Sequence, residues 1–329
     1  MIRCPSCGKR LRDGAPNCAT HGAPPPAPPA TEEPPAPFVV PNPDLPAFRV
    51  TKLLGQGGFG AVFLAERVSD GHVCAIKVAR SDNASAGESL VREVDALKAV
   101  GAPHVPAVYD SGRLPDGSVY VVMDFVKAPI LADVMTALDG PMPLEDFARA
   151  ALPILEVMEV AHGKGLVHCD LKPENVFVHE SFGAKLFDFG LVRKVGAGAK
   201  ESTKEEGPAG TPEYMSPEQC EGRADIDVRS DLYALGVIFY EMLAGGPPFW
   251  GKPAEVQNSH RSRRPPALGR RVPLAVPLEE PIMRCLAKDP ERRPASAAEL
   301  RKALQAGIIA ERSRREEAAG AAPAAGARA

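Results

Sequence analysis

Residues 168–175 read HCDLKPEN, and a second short stretch, DFG, follows at residues 188–190. The two stretches bring two aspartates, a lysine and an asparagine close together in the chain. Transfer of a phosphoryl group from ATP requires such a set, because its transition state is mostly spread negative charge that must be positioned and neutralised. These residues decide how the rest of the sequence is interpreted.

HCDLKPEN resembles the HRDLKPEN catalytic loop of eukaryotic-type Ser/Thr protein kinases, a family also found in bacteria. The resemblance implies that Asp170 is the catalytic base for the substrate hydroxyl and that Lys172 lies beside the transferring phosphate. Asn175 and Asp188 would supply oxygen ligands for Mg²⁺, with Mn²⁺ as an alternative metal. A lysine at position 172 is typical of Ser/Thr kinases rather than tyrosine kinases.

The glycine-rich stretch GQGGFG at residues 55–60, followed by Val62, resembles the loop that covers the ATP phosphates in this family. Backbone that lies close over phosphates cannot carry Cβ atoms. Alone the motif is weak, and a hairpin turn without a ligand is the alternative. By resemblance, Met123 is the gatekeeper at the back of the pocket, and residues 124–126 after it form the hinge, whose backbone would bind adenine. The full predicted ATP-binding set is Leu54, Gly55, Gln56, Gly57, Gly58, Phe59, Gly60, Val62, Ala75, Lys77, Glu93, Met123, Asp124 and Val126.

Lys77 ends the triplet AIK on a predicted strand. By resemblance to the family's VAIK, it binds the α- and β-phosphates and pairs with a carboxylate of the next helix. Glu93 is the expected partner because it shares a helix flank with the apolar Leu97. Glu88, one turn earlier, is the second choice, and a solvated strand lysine is the alternative to the whole assignment.

The segment GTPEYMSPE at residues 210–218 resembles the family's GTPxYMAPE, with serine for alanine at position 216. The resemblance implies that Thr211 contacts Asp170 and Lys172 from the substrate side, again as in Ser/Thr kinases.

Three further residues are expected to be structural. Glu218 is predicted to form a buried ion pair with Arg293, and removing one partner of such a pair costs about 3–5 kcal/mol. Asp231, at a helix start that matches the family's DxWSLG, is predicted to hold the backbone of the catalytic loop.

Cys169 is the one departure within the catalytic loop. The family's arginine at this position binds a phosphate on the activation segment, here Leu191–Gly210, and a thiol offers no bidentate cation. The sequence therefore predicts that activation depends less on phosphorylation of this segment. Equally open is the alternative that Arg193 or Lys194 replaces the arginine. The candidate autophosphorylation sites are Ser202, Thr203 and Thr211.

The N-terminus carries a candidate zinc site, in which a C-x2-C pair is followed by a C-x2-H pair. Four such ligands suit tetrahedral Zn²⁺, and they are Cys4, Cys7, Cys18 and His21. About twenty residues do not fold on hydrophobic burial alone, so the metal would supply the folding energy. A tail with reactive thiols is the alternative. A docking or regulatory partner is the expected task of this unit.

Basic residues surround these cysteines. They are predicted to form a solvated basic face, with nucleic-acid binding as the less favoured alternative. The residues concerned are Arg3, Lys9, Arg10 and Arg12.

Composition divides the chain into a zinc-ribbon-like motif at 1–21, a Pro/Ala-rich linker at 22–47, a kinase domain at 48–307 and a charged, then Ala/Gly-rich tail at 308–329. The tail is predicted to be frayed helix or disordered. A net charge of −3 argues against a generally basic nucleic-acid binder. No apolar run reaches 18 residues, no secretory signal is present, and seven cysteines fit a reducing compartment, so a cytoplasmic location is expected.

The expected fold class is α+β. Apolar periodicity predicts strands at 48–54, 61–68, 73–79, 107–113 and 118–123, and one helix around Leu90. Further helices are predicted at 144–164, 228–244, 278–287 and 296–306, with a kink or a start near Pro153. A five-stranded lobe with one helix, followed by a helical lobe, is the protein-kinase architecture.

The function that the resemblance implies is transfer of the ATP γ-phosphoryl group to Ser/Thr hydroxyls of proteins, autophosphorylation included. A pseudokinase, which binds partners without catalysis, is the rival of a different class. Such members usually lose one of the charged cleft residues, and here Lys77, Asp170, Asn175 and Asp188 are all present. A third interpretation makes the zinc unit the main function and the kinase fold its support.

Overall fold

The computed structural model describes residues 2–4, 6–11, 18, 42–138, 140–181, 183–194 and 210–320. His21, Arg12, Ser202 and Thr203 lie outside these described residues, as do residues 19–41 of the N-terminal region and 321–329 of the tail. At the N-terminus, β1 (Ile2–Arg3) pairs antiparallel with β2 (Arg10–Leu11). We refer to residues 2–4, 6–11 and 18 as the N-terminal unit.

The first lobe is built on a five-stranded antiparallel sheet in the order β3-β4-β5-β7-β6. Its strands are β3 (Phe48–Gly57), β4 (Gly60–Arg67), β5 (Val73–Ala79), β6 (Val108–Arg113) and β7 (Val119–Asp124). All five strands were predicted from the sequence, with bounds that differ by a few residues.

Alternation along β5 explains why Lys77 faces the cleft. Successive strand residues point to opposite faces, and Ala75 and Ala79 pack with the main core, which extends into the helical lobe. Ile76 and Val78 pack in a separate cluster on the far face of the sheet. Lys77 has the same parity as Ala75 and Ala79, so its side chain lies on the cleft side.

The helix of the first lobe is α1 (Ala84–Val100). Asn83 caps its start, since its side chain accepts a hydrogen bond from the backbone N–H of Ala86 at 3.1 Å. Leu90 and Leu97 are buried on the flank that packs against the sheet. Glu93 lies on this same buried flank, which brings a carboxylate to the cleft.

The second lobe is mostly helical. Its helices are α2 (Leu131–Leu138), α3 (Leu144–Gly163), α4 (Pro217–Cys220), α5 (Val228–Ala244), α6 (Pro253–Ser262), α7 (Val276–Cys285) and α8 (Ala297–Gly320). Short strands carry the loops of the site, namely β8 (Leu166–Val167), β9 (Val176–His179), β10 (Gly183–Leu186) and β11 (Arg193–Lys194). The sequence did not predict α2, α4 or α6. Among the described residues, no helix combines the length and the apolar character that crossing a membrane requires.

Pro153 lies inside α3, which runs unbroken from Leu144 to Gly163. A helix start near Pro153, one of the two predicted outcomes, is therefore wrong. The proline ring faces β10, where a Cβ placed on Gly183 would lie 2.7 Å from the Pro153 Cγ. Tertiary packing of the largely buried α3 outweighs the local cost of about 3 kcal/mol for an internal proline.

Frayed helix and disorder were the two alternatives predicted for the tail, and its beginning is helical, because α8 continues through residues 308–320. Ile308 and Glu311 are buried. The Glu311 carboxylate accepts a hydrogen bond from the Ala275 backbone N–H and pairs with Arg314 and Arg315. Pairs at i,i+3 and i,i+4 spacing stabilise a helix, and the charged run that suggested a frayed end supplies these pairs.

Candidate active site and N-terminal metal site

Lys77, Glu93 and Asp188 meet in the cleft between the lobes. The Lys77 Nζ lies 2.7 Å from a Glu93 carboxylate oxygen and 3.2 Å from an Asp188 oxygen. Glu88, the second choice for the partner, is 75% exposed at its side chain and pairs with Arg92 instead. The helix flank of Glu93 was therefore sufficient to distinguish the two carboxylates.

The charge states of this cluster suit anion binding. Burial lowers the pKa of Lys77, but the charges of Glu93 and Asp188 outweigh burial and raise it above its ordinary value. Burial raises the pKa of Asp188, and Lys77 overcomes this effect, so that the Asp188 pKa is lowered. An ammonium group and an ionised carboxylate therefore stand side by side at neutral pH.

Asp170, Lys172 and Thr211 form a second cluster. The Lys172 ammonium donates to one Asp170 carboxylate oxygen at 2.6 Å and to the Thr211 hydroxyl at 3.1 Å. The other Asp170 oxygen accepts from the Thr211 backbone N–H at 3.1 Å and from its hydroxyl at 3.3 Å. These contacts fix the carboxylate between the catalytic loop and the segment that follows residue 210.

Asn175 is oriented by the catalytic loop itself. Its side-chain amide donates to the Asp170 backbone carbonyl at 3.0 Å, which leaves the amide oxygen available for other ligands. Asp188 has a φ of +63°, in the left-handed region that side chains rarely adopt. Amide and carboxylate oxygens of this kind are the donors that Mg²⁺ prefers, so the two side chains present suit the predicted metal.

The glycine-rich loop lies at the turn between β3 and β4. Gly55, Gly57 and Gly58 have no neighbouring atoms within 4 Å of where a Cβ would stand, which leaves space for a ligand. Gly60 has a φ of +155°, and its Cβ would lie 2.0 Å from the Val78 carbonyl oxygen, so only glycine fits there. Leu54 and Phe59 in the same turn are exposed.

The predicted hinge follows the back wall of the cleft. Ala75 and Met123 are direct neighbours across β5 and β7 and pack in the same core cluster. The Asp124 carboxylate accepts a hydrogen bond from the Ala107 backbone N–H, which ties the hinge to the loop before β6. Met123 is 8% exposed, so core packing and a role at the back of a nucleotide pocket are compatible.

Asp231 holds the backbone of the catalytic loop, as the resemblance implied. Its carboxylate accepts from the backbone N–H of His168 at 2.8 Å and of Cys169 at 3.0 Å. Cys169 has a φ of +65°, and the Gln219 side chain donates to its carbonyl at 2.7 Å. These bonds stabilise a backbone conformation that costs a non-glycine residue roughly 1–3 kcal/mol.

The position of Cys169 leaves both interpretations of its side chain open. Burial raises the pKa of the thiol, so it offers no charge to a phosphate. In the β8–β11 pair, Arg193 lies opposite Val167, and Val167 is two residues before Cys169 in the sequence. A cation therefore stands near the place where the family has its arginine.

Simultaneous replacement of Ser202 and Thr203 by alanine is expected to lower activity by less than about tenfold, equivalent to less than about 1.4 kcal/mol. The reason is that Cys169 lacks the guanidinium that would bind a phosphate on this segment. Initial rates of phosphoryl transfer by the wild type and the double variant measure the effect. A larger loss would contradict the prediction, and Arg193→Ala in the same assay would then identify the substituting cation.

Glu218 and Arg293 form the predicted buried ion pair. Two guanidinium nitrogens donate to the two carboxylate oxygens at 2.7 and 2.8 Å, and both side chains are almost completely buried. The Ser230 hydroxyl also donates to Glu218. The pair joins α4 to the loop before α8. We call residues 210–216, which directly precede α4, the substrate-side segment.

Three of the four predicted zinc ligands come together. The sulfur atoms of Cys4, Cys7 and Cys18 all lie within 4.8 Å of one another, with 3.8 Å between Cys7 and Cys18. Zn–S bonds of ~2.3 Å in a tetrahedron place sulfurs ~3.8 Å apart, so the arrangement fits zinc. The turn is closed by the Gly8 backbone N–H, which donates to the Cys4 carbonyl at 2.8 Å. His21, the fourth candidate, is outside the described residues.

The prediction of a solvated basic face is wrong for Arg3 and Arg10. Arg10 is 6% exposed and contacts Glu174, Tyr214 and Glu241, and Arg3 contacts the last two. We call Glu174, Tyr214 and Glu241 the acidic pocket. Sequence reasoning missed this pocket because its residues lie in three separate segments and Glu241 belongs to an almost wholly buried helix.

Comparison with known proteins supports the resemblance of this chain to protein kinases. The family model described as "Protein kinase domain" matches residues 48–305. The chain is 44% identical over 274 residues to the serine/threonine-protein kinase pkn2 of Myxococcus xanthus, covering 79% of this chain and 32% of that protein. It is 34% identical over 262 residues to the serine/threonine-protein kinase PknB of Mycobacterium leprae, covering 77% and 42%. The chain thus spans well under half of the length of either relative.

Solved structures give the same fold. The kinase domain of PknI from Mycobacterium tuberculosis, in a mutant form, superposes with a TM-score of 0.62 at 24% identity, over 80% of this chain and 96% of that one. This likeness concerns the fold alone. With the family match over most of the chain and the two assembled side-chain clusters, the conclusion is that this chain belongs to the protein kinase family, among the eukaryotic-type Ser/Thr kinases.

Proposed function

We propose that this protein is an active Ser/Thr protein kinase that transfers the γ-phosphoryl group of Mg-ATP to Ser and Thr hydroxyls of proteins. One observation carries the proposal: the Lys77–Glu93–Asp188 cluster and the Asp170–Lys172–Thr211 cluster are both assembled. Phosphoryl transfer depends mainly on positioning and charge stabilisation, and these two clusters supply both. The rival pseudokinase interpretation has no missing charged residue to support it.

Each side chain has a separate task in this proposal. Lys77, held by Glu93, binds the non-transferred phosphates, and Asn175 and Asp188 hold magnesium, which neutralises phosphate charge. Asp170 orients the substrate hydroxyl and accepts its proton as the oxygen bonds to the γ-phosphorus and the bond to the β-phosphate oxygen breaks. Lys172 lies next to Asp170 and stabilises the charge on the transferring group.

Labelled ATP tests the proposal directly. Incubation of the full chain with γ-labelled ATP and Mg²⁺ is expected to place label in phosphoserine and phosphothreonine, either on the chain itself or on an added protein. Chelation of Mg²⁺ is expected to abolish incorporation. Thermal stabilisation by Mg-ATP without any incorporation would instead identify a nucleotide-binding scaffold, and label confined to phosphotyrosine would overturn the Ser/Thr assignment.

Zinc binding at the N-terminal unit is a second part of the proposal. The sulfur geometry of Cys4, Cys7 and Cys18 supports it, and His21 completes the proposed ligand set. Within the described residues, no two cysteines are joined by a disulfide, which is compatible with a reducing compartment such as the cytoplasm. A docking or regulatory partner for this unit stays a prediction, and no partner molecule is proposed.

Metal analysis of the purified full chain is expected to give about one zinc per chain. Replacing Cys4 and Cys7 together by serine is expected to reduce this value to near zero, because thiolates supply most of the binding energy of such sites. Serine at Cys220, a buried cysteine outside the N-terminal unit, is the matched control and should leave the zinc content unchanged. Wild-type protein without stoichiometric zinc would remove the metal from the proposal.

A further inference from the structure

The N-terminal unit is attached to the helical lobe by two guanidinium groups. Arg10 donates to Glu241 at 2.9 Å, to Glu174 at 2.7 Å and to the Tyr214 hydroxyl at 2.6 Å. Arg3 donates to Glu241 at 2.7 Å and to the Tyr214 hydroxyl at 2.8 Å. Two side chains from the unit thus fill the acidic pocket, which draws its members from the catalytic loop, the substrate-side segment and α5.

The buried carboxylate of Glu241 makes the acidic pocket favour a cationic side chain. Glu241 is 1% exposed, and its pKa, which burial raises, is lowered below its ordinary value by Arg3 and Arg10. A buried carboxylate without a cationic partner is costly, by several kcal/mol in effective terms. The pocket therefore requires cations when it is closed to water, and the N-terminal unit supplies them.

The metal-binding turn itself touches the lobe. A Cβ on Gly246 would lie 3.0 Å from the Cys7 carbonyl oxygen, and a Cβ on Gly8 would lie 2.7 Å from the ring of Trp250. Arg3 also donates to the Gly8 carbonyl at 2.9 Å, which links the turn to the acidic pocket. The same backbone turn that presents the cysteines therefore forms the docking surface, so loss of the metal alters the shape that docks.

The docked unit stands beside the place where a substrate hydroxyl must arrive. Thr211 contacts Asp170, and Tyr214 lies three residues further along. Three residues of chain reach at most ~11 Å. Arg10 also contacts Glu174, four residues from Asp170 in the catalytic loop. A peptide extended across the site advances ~3.3 Å per residue, so residues a few positions from the acceptor span a comparable distance.

We propose that the N-terminal unit occupies the protein-substrate surface of its own chain and so competes with protein substrates. Zinc held by the cysteine turn keeps this turn in the shape that docks. The inference rests on the proposed kinase function. Undocking leaves Lys77, Asp170 and Asp188 untouched and opens the acidic pocket to water and to substrate side chains. In the sequence, 23 residues, 19–41, lie between Cys18 and the next described residue, and a fully extended chain of that length reaches at most ~80 Å.

A wedge variant tests the contact without altering the pocket or the cysteines. Gly246→Arg places a large side chain against the Cys7 carbonyl, and Gly163→Arg is the matched control, because no atom lies within 4 Å of a Cβ at that exposed position. Trp250 is the only tryptophan of the chain and lies against Gly8, so its fluorescence reports docking independently of catalysis. A fluorescence change in Gly246→Arg but not in Gly163→Arg is expected.

Activity is measured on synthetic peptides with a central Ser or Thr between randomised residues. The Gly246→Arg variant is expected to phosphorylate them about tenfold faster at low peptide concentration, through a lower peptide KM, if the open form is no more than about a tenth of the wild-type population. The KM for ATP is expected to stay unchanged. An unchanged peptide rate, despite the fluorescence change, would show that docking does not compete with substrate, and a lower rate would show that docking supports catalysis. Either result would overturn the proposal.

Zinc removal supplies a second route that needs no substitution. Wild-type protein treated with a chelator and returned to Mg²⁺ is expected to show the same fluorescence change and the same rise in rate, with no further rise in Gly246→Arg. A rise in the variant without one after zinc removal would overturn the role of the metal. Absence of phosphoryl transfer in every sample, with the docking signal intact, would instead mean that the proposed kinase function has failed.

Discussion

Replacement of Asp170 by asparagine is expected to lower kcat by about 10²–10⁴-fold, the usual contribution of a positioned proton acceptor. Asparagine has nearly the same shape, but its amide group cannot accept the hydroxyl proton. The bonds that Lys172 and Thr211 donate to the carboxylate would also be weakened, because one of its two oxygens becomes a donor group. The KM for ATP is expected to change little, because Lys77 and the glycine-rich loop remain.

The matched control is Asp95→Asn, on the exposed face of α1. It removes the same charge without touching the cleft and is expected to leave kcat within a factor of about two. Initial rates with saturating Mg-ATP, together with thermal melts of both variants, separate a chemical defect from unfolding. A kcat for Asp170→Asn within tenfold of the wild type, with an unchanged melting temperature, would refute the assignment of Asp170 as the catalytic base.

The second large effect is on stability. Arg293→Ala is expected to lower the free energy of unfolding by about 3–5 kcal/mol, because it leaves the Glu218 carboxylate buried without its partner. Arg293 also donates to the backbone carbonyls of Ala287, Lys288 and Arg229, so the loop after α7 and the first turn of α5 lose bonds as well. For a domain of this size the melting temperature is expected to fall by on the order of 10 °C.

Arg292→Ala is the control for this change, since the neighbouring arginine is 81% exposed and its pair with Asp289 is 3.8 Å long. Exposed pairs contribute about 0–1 kcal/mol, so its melting temperature should be close to that of the wild type. Arg293→Lys keeps the charge but loses the planar fork, and an intermediate loss is expected. Equal melting temperatures for Arg292→Ala and Arg293→Ala would contradict the structural role of the pair.

The pair also gives a pH dependence with a definite sign. Burial raises the pKa of Glu218, but the hydrogen bonds from Arg293 and Ser230 and the charge of Arg293 lower it by more than burial raises it. The folded pKa of Glu218 therefore lies below the ordinary 4.5. A lowered carboxylate pKa stabilises the fold above the unfolded value, and this contribution is lost as pH falls through the folded value. Urea melts between pH 7 and pH 3 should therefore show an acid loss in the wild type that is smaller in Arg293→Ala.

The proximity of the charged residues in the cleft could be predicted from the sequence. Asp170, Lys172 and Asn175 belong to one short loop, so their proximity is fixed by the backbone and needs no knowledge of distant contacts. Lys77 was assigned by its resemblance to the family's VAIK motif, and Glu93 was chosen as its partner because it shares a helix flank with Leu97. Such local rules also predicted all five strands of the first lobe and four of the seven α-helices found in the described part of the second.

Other features required the tertiary structure. Pro153 inside α3 is tolerated because the helix is buried on most of its length, which no local propensity records. The charged run at 311–317 was interpreted as frayed helix or disorder, whereas the buried Glu311 binds the start of α7. In both places, contacts distant in sequence outweighed the local signal.

Arg3 and Arg10 show the division most clearly. The sequence predicted that the cysteines around them are zinc ligands, because close spacing in the chain is what a metal turn requires. It gave the two arginines no partner, because Glu174 is 164 positions from Arg10 and Glu241 is 238 positions from Arg3. Charge spacing along a chain cannot identify a buried partner that only the packed lobe provides, and so the contact of the N-terminal unit with the helical lobe was decided by the tertiary structure alone.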